Sequence, residues 1–142
     1  MEIFVGRQPI FNIQEEVVAY ELLYRRNTDN AFSEVDSDSA TIQVLKNSFL
    51  TIGMKELTNG LPGFVNFTEN LLMSNIMDLI DPSTIVIEIL EDVPITEQLI
   101  LRIIELRNKG FTIALDDFVL SHNIEFYNTL FSHTDIIKVD YL

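Results

Sequence analysis

Acids and amides recur in this sequence at one kind of place, the end of an apolar, β-branched run. Glu21 shares a strand face with Val17, Ala19 and Leu23, Asn66 stands near the end of GFVNF, and Glu88 interrupts TIVIEIL. Asp116 and Asp117 end TIALDDF, and Lys138 with Asp140 ends DIIKVD. An ionised glutamate inside such a run is costly unless a cation or a hydrogen-bond donor meets it. Several carboxylates around one mouth, with an amide and a lysine, suit hard divalent cations held through oxygen. Each residue also has a plainer reading. Glu21 can pair with Arg25 on the same strand face, Asp116 and Asp117 can be a helix cap and a solvated acid, Asn66 can cap the helix after it, and Lys138 can be an ordinary ion-pair lysine. Repetition at successive strand ends favours a shared site over a set of separate accidents.

The elements that must position these residues alternate. Ile3 to Phe11 and Val17 to Arg25 read as two strands joined by a turn at Asn12 to Glu15, a hairpin. A polar, acidic loop over Asn27 to Ser39 precedes a helix to about Ile52, with Ile42, Leu45, Phe49 and Ile52 on one stripe. Gly63 to Phe67 is a strand, Thr68 to Met73 opens a helix, and Thr84 to Leu90 is a strand buried on both faces. Pro94 to Lys109 is a helix with Ile95, Leu99, Ile103 and Leu106 inward, closed by Gly110. Phe111 to Leu115, a short helix near Ile124 to Leu130, and a strand over Asp135 to Val139 complete the series.

After the hairpin this β-α-β-α succession predicts an α/β fold, either an open sheet or a (β/α)8 barrel. In such a barrel the C-terminal strand ends form one rim, where active sites lie, and a full barrel takes about 250 residues. With 142 residues the chain supplies only part of one. The expectation is therefore one domain over 1–142, a partial TIM-like barrel with an N-terminal hairpin and one antiparallel strand, lacking its C-terminal strands and helices. A barrel stopped after Val139 leaves an open edge, and Ile113, Leu115 and Ile137 are expected to face a half-empty lumen. From this follows a homo-oligomer, most simply a dimer covering that side.

Composition narrows the function. Lys and Arg number 9 against 22 Asp and Glu, a formal charge of −13 with no basic cluster, which argues against nucleic-acid partners. An acidic protein that binds an anionic nucleotide usually needs something between them, and a bound divalent cation is the obvious candidate. No apolar run reaches the roughly 18 residues of a membrane span, and the start lacks a signal-peptide layout. The chain has no Cys, which excludes disulfides and thiolate metal sites and fits a reducing cytoplasm. Asp36-Ser37-Asp38 lacks the glycine and closing glutamate of a calcium loop. His122 and His133 fall outside any ligand spacing, and the phenylalanines read as core.

In order, these segments resemble the EAL family of cyclic-di-GMP phosphodiesterases, in bacterial signal transduction. Gln8-Pro9-Ile10 is similar to the family's opening QPI, and Glu21-Leu22-Leu23-Tyr24-Arg25 to its naming motif, with Leu22 in place of Ala. Val65-Asn66-Phe67-Thr68, Ile87-Glu88-Ile89-Leu90-Glu91, Leu115-Asp116-Asp117-Phe118 and Ile137-Lys138-Val139-Asp140 match four further family segments. The spelling looks most like the EAL half of proteins that carry a C-terminal HDOD domain.

The resemblance implies a metal-dependent hydrolase of cyclic di-GMP using Mg²⁺ or Mn²⁺. It implies Glu21, Asn66, Glu88 and Asp116 as ligands of a first metal, with Asp117 reaching a second. Lys138 would orient the attacking water or balance charge, and Gln8 and Arg25 would contact the nucleotide. Two departures weigh against turnover by this chain: Val119 replaces the glycine after Asp-Asp-Phe, and the family's later glutamates lie past Leu142. The leading expectation is a signalling module that acts through nucleotide or partner binding, a homo-oligomer or one that contacts a downstream HDOD domain. The alternatives are a fragment of an active phosphodiesterase and a structural interaction domain without a ligand.

Overall fold

An Asn-centred turn begins the architecture. The structure, a computed structural model, describes residues 3–26, 42, 54–90, 93–116 and 129–138, with backbone alone at 3–5, 23–26 and 54–55. They fall into two units, Met1–Val65 and Asn66–Leu142.

In the first unit, strands β1 (Ile3–Phe11) and β2 (Val17–Arg26) pair antiparallel from Ile3↔Arg26 to Phe11↔Val17, with a bulge between Ile10 and Phe11. Asn12 builds the connection because its side chain can imitate a backbone turn. Its Oδ1 accepts from the Gln14 and Glu16 amides at 2.9 and 3.0 Å, and Glu15 takes a φ of 63°. A short helix α1 (Met54–Leu57) leads through the left-handed pair Asn59 and Gly60 into β3 (Gly63–Phe67). Strand β3 runs parallel to β2, with Tyr20 opposite Gly63 and Glu21 opposite Phe64. The predicted helix ending near Ile52 lies outside the described residues except for residue 42, which is helical. The division between the units falls inside β3.

In the second unit, Thr68 caps helix α2 (Glu69–Leu72), its hydroxyl accepting from the Leu71 amide at 3.3 Å. A 3₁₀ turn at Asn75–Leu79 leads to β4 (Ile85–Ile89), which is buried along its whole length. Helix α3 (Glu97–Asn108) starts later than the Pro94 that the sequence suggests. The reason is Thr96, whose Oγ1 accepts from the Leu99 amide at 3.1 Å, so the cap decides the boundary and leaves Ile95 before the helix. Leu99, Ile103 and Leu106 form its fully buried face, and Gly110, at a φ of 104°, ends it as expected. Arg102 on α3 donates to the Leu72 carbonyl at 2.6 Å and the Ser74 carbonyl at 3.3 Å, satisfying groups that the short α2 leaves open.

Strands β5 (Thr112–Leu115) and β6 (Ile136–Ile137) follow, with a helical turn at 129–132 before β6. Both pairings, β4 with β5 and β5 with β6, are parallel. Within each unit the strand order follows the chain, β1-β2-β3 in the first and β4-β5-β6 in the second. The α/β class, with its N-terminal hairpin and single antiparallel strand, is the class observed. One expectation needs correction. Ile113 and Leu115 alternate with Ala114 and Asp116, so they occupy the other face of β5 from the polar residues, and both are fully buried. They do not face an open lumen; of the trio only Ile137 is exposed, at 46%. Among the described residues no helix is long and apolar enough to cross a membrane.

Candidate functional site

Register decides which side chains share a face. Glu88 on β4 is level with Ala114 on β5, and Ala114 is level with Ile136 on β6. Side chains alternate along a strand, so Asp116 and Lys138, each two residues further on, lie on the face of Glu88 and nearer the C-terminal end. Ladder bonds continue past the strand ends and fix both: the Asp116 amide donates to the Ile89 carbonyl at 2.9 Å, and the Lys138 amide to the Leu115 carbonyl at 2.8 Å.

The result is a charged cluster. Lys138 Nζ lies 3.4 Å from Glu88 Oε1 and 3.3 Å from Asp116 Oδ1. Side-chain exposure is 0% for Glu88, 16% for Asp116 and 30% for Lys138, so the cluster runs from the core to the surface. A fully buried carboxylate keeps its charge only with compensation nearby, and the ammonium supplies it. Two carboxylates that already hold one cation between them, on an all-oxygen donor set, fit a divalent ion as well. Among the described residues no group of three or more His, Cys, Asp or Glu side chains is arranged to hold a metal.

The other predicted residues are placed as follows. Asn66 is half-buried near the end of β3, in the second unit. In the first unit, Glu21 is half-buried on β2 and stands directly opposite the exposed Gln8 on β1, so these two share a face of the hairpin. Arg25 lies on β2 opposite Phe4, with its backbone alone described. Asp117, Asp36-Ser37-Asp38 and His122 lie outside the described residues, whereas His133 sits half-buried in a turn.

Sequence reasoning missed Asp135. Its Oδ2 accepts from the Ile113 amide at 2.9 Å and its Oδ1 meets Arg107 at 2.9 Å, while its own amide donates to the Ile113 carbonyl. It therefore ties the start of β6 to β5 and to α3, and so sets where Lys138 emerges. An acid before a two-residue strand carries no sequence signal for that task.

Comparison with known proteins now has a geometry to rest on. No family model matches the chain. Over 144 residues it is 50% identical to YuxH of Bacillus subtilis, itself an uncharacterized protein, covering all of this chain and 35% of that one. Over 138 residues it is 35% identical to the cyclic di-GMP phosphodiesterase CdgJ of Vibrio cholerae, covering 96% of this chain and 31% of that one. The chain thus spans about a third of the length of the curated relatives it matches. Among solved structures, the phosphodiesterase PaMucR in complex with cyclic di-GMP superposes with a TM-score of 0.74 at 17% identity, over 99% of this chain and 70% of that one. The EAL enzyme Bd1971, bound to cAMP and cyclic di-GMP, gives 0.68 at 18% identity, over 98% of this chain and 46% of that one. The chain is thus EAL-like in fold and similar in sequence to part of a protein named as a cyclic di-GMP phosphodiesterase.

Proposed function

We propose that this chain is the part of a cytoplasmic EAL-type signalling module that recognises cyclic di-GMP through a divalent cation, and that it binds the nucleotide without hydrolysing it. The observation that carries the reading is the Lys138 ammonium held between Glu88 and Asp116 at the ends of neighbouring parallel strands. A protein of charge −13 binds a cyclic dinucleotide, itself an anion, far more readily with a cation interposed. Glu88 and Asp116 would hold Mg²⁺ or Mn²⁺, joined through the family resemblance by Glu21 and Asn66, with Asp117 toward a second ion. When bound, the metal would neutralise phosphodiester charge and lower the pKa of its water. Gln8 and Arg25 would contact the nucleotide, and Lys138 would hold positive charge beside the acids.

The module would work as a homo-oligomer or against a downstream HDOD domain. The identity to CdgJ, a named phosphodiesterase, favours a second reading in which these 1–142 residues are one portion of an active enzyme. Two assays on the purified chain with Mn²⁺ separate the readings. Binding without release of the linear dinucleotide supports the first, and turnover supports the second.

A further inference from the structure

We infer that Lys138 is a tethered counter-ion that occupies the charge position of the divalent cation and competes with it, so that its removal tightens metal binding. The inference rests on the cation-assisted reading above and adds to it a role that opposes metal entry. Three observations carry it.

The first is the shared contact. One Nζ stands 3.4 Å from a Glu88 oxygen and 3.3 Å from an Asp116 oxygen. A divalent ion held by the same carboxylates would be repelled by the ammonium beside them, and moving the ammonium away would relieve that repulsion. The second is burial. Glu88 is 0% exposed, so water does not compensate its charge, and an ionised Glu88 favours a cation or donor nearby in either state. The third is freedom to leave. The Lys138 side chain is 30% exposed, and it follows a strand of two residues, so its long flexible stem can swing its head toward solvent while the Leu115 ladder bond keeps its backbone in place.

The pairing distances are longer than the roughly 2.8 Å of a close charge-assisted bond. The same arrangement would keep the buried acid compensated whenever metal is scarce, and would set the cation concentration at which nucleotide can bind.

The test is Mn²⁺ titration of the metal-free chain by calorimetry, in wild type, Lys138→Met and Lys138→Arg, with thermal melts in chelator alongside. Lys138→Met is expected to bind Mn²⁺ more tightly by about tenfold, the scale on which one neighbouring charge shifts an ionic equilibrium. It should also melt lower in chelator and recover when Mn²⁺ is added. Lys138→Arg, which keeps the charge, should bind as wild type does. If Lys138→Met proves too unstable in chelator, Lys138→Gln read in Mn²⁺ from the outset gives the same comparison. Equal or weaker Mn²⁺ binding by the neutral variants, with wild type still binding Mn²⁺ and cyclic di-GMP, overturns the competition and leaves the functional reading standing. No Mn²⁺ binding by any variant overturns both.

Discussion

Lys138 reaches Glu88 across an intervening strand. Glu88 lies on β4 level with Ala114 of β5 and Ile136 of β6, and Lys138, two residues past Ile136 on the same face, still brings its charged atom within 3.4 Å. Two strand spacings amount to about 9.6 Å, which two long side chains can bridge only over a small residue. Ala114, fully buried, is that residue. Ala114→Leu is therefore expected to separate the pair and destabilise the chain by about 1–3 kcal/mol through overpacking. Urea unfolding measures this; stability unchanged within error would show that the space above Ala114 is not what permits the contact.

The pair should behave as a unit. Lys138→Met leaves the carboxylate of Glu88 buried beside Asp116, a change that costs about 3 kcal/mol when a buried partner is lost. Part of that cost is relieved by the ammonium's own exposure in wild type, so the lower end is expected. In a Glu88→Gln background the same substitution should cost about 1 kcal/mol, since no buried charge is orphaned. A double-mutant cycle with no coupling energy would contradict the arrangement.

Asp135 and Thr96 hold the frame around the site. Asp135→Ala removes the acceptor of the Ile113 amide and the partner of Arg107, and about 1–3 kcal/mol is expected from the unsatisfied donor. Hydrogen exchange should quicken at the Ile113 and Lys138 amides before it does on β4. Thr96→Ala should cost about 1 kcal/mol by uncapping α3. Unaltered exchange at Lys138 in the Asp135 variant would mean that β6 is held by other contacts.

These residues also show what could be read from the sequence. Strands β1, β3 and β5 lie where alternation and apolar runs put them, and Glu88 betrays itself as a charge within a β-branched run. The shared face of Glu88, Asp116 and Lys138 needs register, which a single strand's sequence does not encode; their recurrence at successive strand ends suggests the grouping, and the family resemblance supports it. Pro94 misleads as a helix start because two residues later Thr96 offers a side-chain acceptor that proline lacks. The faces of Ile113 and Leu115 were misjudged for a related reason. Both faces of a parallel strand are apolar, so hydrophobicity alone does not say which one meets the site.

We propose that the chain associates through its sheet edge. Strand β6 pairs with β5 alone among the described residues and presents Ile137 at 46% exposure, an edge that natural sheets cover or pair. Sedimentation velocity across a micromolar concentration series is expected to show a dimer. A single monomeric species with a cooperative melt would refute it.

The central claim is cation-dependent recognition of cyclic di-GMP, and calorimetric titration of the nucleotide into this chain, with Mn²⁺ and with chelator, addresses it most directly. The account predicts saturable binding in Mn²⁺, its loss in chelator, and a loss of at least tenfold in affinity for Asp116→Asn, the less buried of the two carboxylates. No binding in Mn²⁺, or binding of equal strength in chelator, would contradict it.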